Sequence, residues 1–125
     1  QKCGLYVKYE FGRKDPTASL SLDELGSIVE EVAHFGIDHV IVEQSDFDMF
    51  LAGRPDALIA LTTQPWFSRL IIEADPYRFP QQHAEMVKTF GAEVNLANIT
   101  PGQVLRLEGF RRGVGRAMDY SIIER

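Results

Sequence analysis

Three glutamates, Glu10, Glu43 and Glu73, each fall at the carboxyl end of a short apolar run with the composition of a β-strand, and Asn95 and Asn98 end a fourth. In parallel α/β folds that end of the sheet is where loops diverge and helix N-termini turn their positive dipole ends toward anions. Converging carboxylates there would suit Mg²⁺, a hard cation that takes oxygen ligands and keeps water or substrate oxygens in its shell. A strand-end glutamate can equally pair with the nearest lysine or arginine, and for any one of the three that is the simpler account. Three at equivalent positions make the two readings comparable.

Arg13 and Lys14 follow the first of these glutamates almost at once. A lysine near a metal or other cations can have its pKa lowered enough to pass a proton near neutrality. On spacing alone, a solvated turn before Pro16 explains the pair slightly better. His34, His39 and His83 show no ligand spacing and read as structural. Trp66 and Phe67 read as packing residues, and Cys3 has no obvious base beside it. No Ser-His-Asp order, P-loop or dinucleotide fingerprint is present.

The elements that must position these residues repeat four times as strand, loop, helix. The first strand spans Leu5 to Phe11 and is followed by a helix from Ser21, where Ser-Leu-Asp-Glu forms a capping box and Gly36 is a left-handed stop. Leu22, Leu25, Ile28, Val29 and Val32 give that helix one apolar face. The second strand, His39 to Glu43, and the third, Arg69 to Ala74, have solid apolar centres, as expected of strands buried on both faces. A short helix is expected within Arg54 to Thr63, and a longer one from Gln81 to Phe90 ending at Gly91. The fourth strand, Glu93 to Ile99, leads into Thr100-Pro101-Gly102-Gln103, a second capping box opening a helix that Gly113 stops. Such alternation implies right-handed βαβ units and a parallel sheet, so the fold class is α/β in a single domain. The sheet is then either a small open one or half of an eight-stranded barrel.

Composition narrows the function classes. The chain has 125 residues, 45% of them hydrophobic and 25% charged, the balance of one soluble globular domain. Its net charge of −5 and scattered Arg106, Arg111, Arg112 and Arg116 argue against a nucleic-acid surface, which needs a clustered basic patch. No apolar run approaches the ~20 residues that span a bilayer, so a membrane is not expected as a partner. A single cysteine excludes an internal disulfide and permits a cytoplasmic location. The chain opens on Gln1 rather than Met, as expected of a trimmed, processed or partial product.

The residues also resemble a known family, phosphosulfolactate synthase. The resemblance runs through Glu10-Phe11-Gly12-Arg13-Lys14-Asp15-Pro16, Val40-Ile41-Val42-Glu43, Ile71-Ile72-Glu73-Ala74, Gln81-Gln82 and Lys88-Thr89-Phe90-Gly91. It continues through Val94-Asn95-Leu96-Ala97-Asn98-Ile99, Leu107-Glu108 and Arg111-Arg112-Gly113. It implies the carboxyl-terminal half of a (β/α)₈ barrel and Mg²⁺-assisted addition of sulfite to phosphoenolpyruvate through an enolate-like intermediate, a step toward coenzyme M. The residue at Lys14 would then protonate the substrate carbon, Glu10, Glu43 and Glu73 would serve as metal or polar-network groups, and Arg13, Arg78, Asn95 and Asn98 would lie near the substrate anions. Three departures stand out. Arg13 replaces the family's usual lysine, and Gln44-Ser45-Asp46-Phe47 replaces its usual Gly-Arg-Glu-Ser. The segment between Glu73 and Gln81 is longer and holds Asp75, Tyr77 and Arg78. A catalytically silent homologue that binds or scaffolds is the competing expectation, and an unrelated four-unit domain binding a small phosphorylated ligand is a third. Half a barrel would leave two bare sheet edges, so a second copy, a separate half-barrel chain or a lost segment is expected to supply the other strands.

Overall fold

A computed structural model describes residues 4–12, 21–52 and 54–114. Arg13, Lys14 and Cys3 therefore lie outside the described residues. Four parallel strands alternate with helices and lie in the order β1-β2-β3-β4, compatible with half of a parallel α/β barrel. The chain groups into two compact units, Gln1–Ile72 and Glu73–Arg125.

In the first unit β1 (Tyr9–Phe11) pairs in parallel with β2 (Val40–Glu43), with Tyr9 opposite Val40, Glu10 opposite Ile41 and Phe11 opposite Val42. The expected strand began at Leu5. It begins at Tyr9, which stands opposite Val40, the first residue of β2, and donates its N–H to the His39 carbonyl at 3.1 Å; Leu5, Tyr6 and Val7 are exposed. Helix α1 (Leu22–His34) starts where the capping box requires, the Glu24 N–H donating to Ser21 Oγ at 3.5 Å, and its chain reverses at Gly36 with φ +76°. Its apolar face buries Leu25, Val29 and Val32. Gly26, also buried on α1, lets the Trp66 indole approach: a Cβ at this position would sit 3.0 Å from Trp66 Nε1.

Helix α2 (Gln44–Leu51) was not expected. It follows β2 with no intervening loop, and Glu43 occupies its N-cap without a capping side chain. Helix α3 (Pro55–Thr62) matches the short helix expected there, with Pro55 at its first position. Strand β3 (Leu70–Glu73) follows a 3-10 turn at Phe67–Arg69, and its Leu70, Ile71 and Ile72 are all buried. Burial on both faces thus holds for β3, whereas in β2 Val40 and Val42 are buried and Ile41 only half-buried. The Arg69 guanidinium fastens the strand entrance, donating to the Asp38 carbonyl at 3.1 Å and the Ile37 carbonyl at 3.2 Å.

In the second unit a 3-10 turn at Pro76–Arg78 precedes α4 (Gln81–Phe90), and Gly91, φ +100°, stops that helix. Strand β4 is only Leu96–Ala97, because the residues before it turn, with Val94 N–H on the Gly91 carbonyl, and Asn98 leaves the extended region after it. Thr100 and Gln103 form the expected capping box, though it opens a 3-10 turn that passes into α5 (Val104–Arg111). Val87, Met86, Phe90, Val94, Leu107 and Phe110 form this unit's buried core.

His83 is wholly buried on α4, and neither ring nitrogen has a hydrogen-bond partner. Its ring meets Phe79 edge-on, with centroids 4.9 Å apart. Burial lowers its pKa below 6.5, and the charge of Asp75 opposes that shift in part. The folded chain therefore keeps His83 neutral while the unfolded chain takes up a proton first as pH falls. Stability should be level above about pH 6.5 and decline below it until the folded-state pKa is reached. In thermal melts between pH 7.5 and 5, a His83→Leu variant is expected to lose part of the decline that the parent shows; equal slopes would refute the assignment.

Candidate metal centre

Parallel pairing sets the strand-end glutamates. Glu10 is the middle residue of β1, opposite Ile41, while Glu43 and Glu73 are the last residues of β2 and β3. Each offers one carboxylate oxygen, and the three oxygens lie within 4.8 Å of one another.

Glu43 is the most elaborately held. Ser45 Oγ donates to its Oε2 at 3.4 Å, a long contact, and the N-terminus of α2 begins immediately after it. The first N–H groups of that helix have no intrahelical acceptor, and their positive end favours a carboxylate nearby. Gly12 stands beside Glu43: a Cβ there would sit 3.5 Å from Oε1, so a longer side chain would fill the space next to the carboxylate. Gln44, at the position of the family departure, donates from Nε2 to Asp48 Oδ1 at 2.7 Å along its own helix.

In the second unit Asn98 Nδ2 donates to Glu73 Oε1. Asn98 was expected near the substrate anions, and its amide here bonds a carboxylate of the acidic cluster. Asn95 lies half-buried just before β4, and Arg78 is exposed on the Pro76–Arg78 turn. Two supporting residues were not anticipated. The Ser45 hydroxyl had no sequence signal once α2 was missed. Gln82, nearly buried, accepts the Asp75 N–H through Oε1 at 2.7 Å, while Asp75 Oδ1 accepts the Tyr77 N–H at 2.9 Å. An Asp-Pro pair followed by Gln-Gln at the next helix start was the readable sign of that loop.

Three carboxylate oxygens at this spacing form a hard, anionic donor set that could bind a metal cation. The fold and site thus define a parallel α/β protein with an acidic cluster at its strand ends that could bind a metal. The family model described as "(2R)-phospho-3-sulfolactate synthase (ComA)" matches residues 1–116, and the chain belongs to that family. The phosphosulfolactate synthase of Methanocaldococcus jannaschii is 30% identical over 122 residues, which cover 89% of this chain and 47% of that protein. The chain therefore spans about half the length of the curated relative it matches. No solved structure matches it. Among the described residues no helix is long and apolar enough to cross a membrane.

Proposed function

We propose that the chain supplies half of a Mg²⁺-dependent lyase that adds sulfite, or a related nucleophile, to phosphoenolpyruvate in the cytoplasm, on a route to coenzyme M. The observation that carries this reading is the gathering of Glu10, Glu43 and Glu73 at the strand ends of a chain belonging to this family. In the proposal these glutamates hold Mg²⁺, which when bound supplies positive charge for a developing oxyanion. Lys14 gives the proton to the substrate carbon, and Arg13, Arg78 and Asn95 take up its anionic groups. The loop tie from Gln82 to Asp75 keeps the Arg78 turn on the start of α4.

The chain forms a half-barrel-like domain in this reading, and a second copy, a separate half-barrel chain or a further segment of the same protein completes it. Strand β1 ends the sheet order, and apolar Leu5, Tyr6 and Val7 lie exposed just upstream of it. An exposed strand edge with apolar residues beside it is a template for pairing. Light scattering on the purified chain should give a mass above that of a monomer unless the separate half is required. A monomer that melts cooperatively and turns over substrate unaided would end this part of the proposal.

A catalytically silent homologue that binds or scaffolds is the second reading. The replacement of the family's usual arginine after Glu43 by Gln44-Ser45-Asp46 favours it. Consumption of phosphoenolpyruvate with sulfite that stops on chelation of Mg²⁺ would exclude it; no consumption by the chain, alone or with a complementing half, would exclude the lyase.

A further inference from the structure

Asn98 has a backbone that few side chains adopt. Its φ is +61°, and among the described residues it is the non-glycine with positive φ. Asparagine tolerates this left-handed region better than most residues because its short amide can bond locally. Here the amide bonds across the sheet instead. Strands β3 and β4 are joined by the Ala74 N–H on the Ala97 carbonyl at 3.2 Å, which sets Asn98 beside Ala74, the residue that follows Glu73. The left-handed turn after Ala97 then presents Nδ2 to Glu73 Oε1. The side chain's own oxygen against a carboxylate would be repulsive, which fixes the amide's orientation on chemical grounds.

A carboxylate with one oxygen engaged by an amide is poorly disposed to chelate through both oxygens. That distinction separates two cations. Ca²⁺ takes six to eight oxygens and readily accepts bidentate carboxylates at about 2.3–2.6 Å, whereas Mg²⁺ demands a near-octahedral shell at about 2.0–2.1 Å and takes carboxylates singly. Partners of this outer kind orient ligands and tune the metal they hold. We propose that Asn98 is a positioning residue that restricts Glu73 to one-oxygen ligation and so biases the acidic cluster toward Mg²⁺ and against Ca²⁺. This inference rests on the reading of Glu10, Glu43 and Glu73 as a metal centre.

The test is calorimetric titration of the full chain and of Asn98→Gly with MgCl₂ and CaCl₂ separately, accompanied by a thermal melt. Glycine adopts positive φ freely, so the variant removes the amide without straining the turn. The Mg²⁺-to-Ca²⁺ affinity ratio is expected to fall by about tenfold, the scale on which outer partners act, while the melting temperature holds. Asn98→Asp, which tolerates the same backbone but replaces the donor by another carboxylate, should move the ratio the same way. A ratio unchanged in both variants overturns the role of Asn98 and leaves the metal centre standing. If the parent chain binds neither cation, the metal centre itself fails and this inference with it.

Discussion

Lys14→Ala is expected to lower Mg²⁺-dependent consumption of phosphoenolpyruvate with sulfite by about 10²–10⁴-fold, the usual contribution of a positioned general acid. The variant should bind Mg²⁺ and melt as the parent does. Lys14 lies outside the described residues, but β1 delivers Glu10, Phe11 and Gly12 to the strand end just before it. Lys14→Arg is the more discriminating change. A guanidinium keeps the positive charge but holds its proton at any accessible pH. If Lys14 only attracts the substrate's anionic groups, arginine should restore most of the rate; if it delivers a proton, arginine should be nearly as slow as alanine. Full activity in Lys14→Ala would remove the residue from the mechanism. Where turnover needs a complementing half-chain, parent and variants are to be compared in the same mixture.

The parts of this fold that were legible in the sequence are those governed by short-range chemistry. Ser21 before α1, Thr100 with Gln103 before α5, and Gly36, Gly91 and Gly113 at helix ends each announce a boundary through a local hydrogen bond or a positive φ. The strand-end positions of Glu43 and Glu73 were legible too, because each follows an apolar run, while Glu10 lies one residue short of the end of β1. What escaped was what depends on partners distant in sequence. Strand β1 is shorter than its apolar run because pairing ends where β2 begins, and β4 shrinks to two residues between a turn and the left-handed Asn98. The place of Asn98 at a strand end was legible, but its positive φ was not. Helix α2 was missed because Glu43 supplies no capping side chain and the segment Gln44–Leu51 carries two aspartates, which favour caps and turns over helix interiors.

Phe47→Ala, in that same helix, is expected to destabilise the chain by about 3–5 kcal/mol, the range for truncating a buried phenylalanine. Phe47 is wholly inaccessible to solvent and lies on the buried face of α2 with Phe50. Its removal costs the transfer free energy of the ring and leaves a cavity that an eight-residue helix is poorly placed to close. Met49, 37% exposed on the same helix, sets the comparison: Met49→Ala should change stability by less than about 0.5 kcal/mol beyond helix propensity. Denaturant titrations of both variants measure the difference. A functional consequence follows from the absence of a loop. Glu43 is at once the last residue of β2 and the N-cap of α2, so a helix loosened at Phe47 is a helix loosened one turn from a cluster carboxylate. Phe47→Leu, which keeps an apolar group in most of that volume, should retain the fold at a smaller cost and permit the site to be read. Its Mg²⁺ affinity should drop while that of Met49→Ala does not. Parent-like affinity in a measurably destabilised Phe47→Leu would mean that β2 alone holds Glu43 and that α2 only covers the sheet.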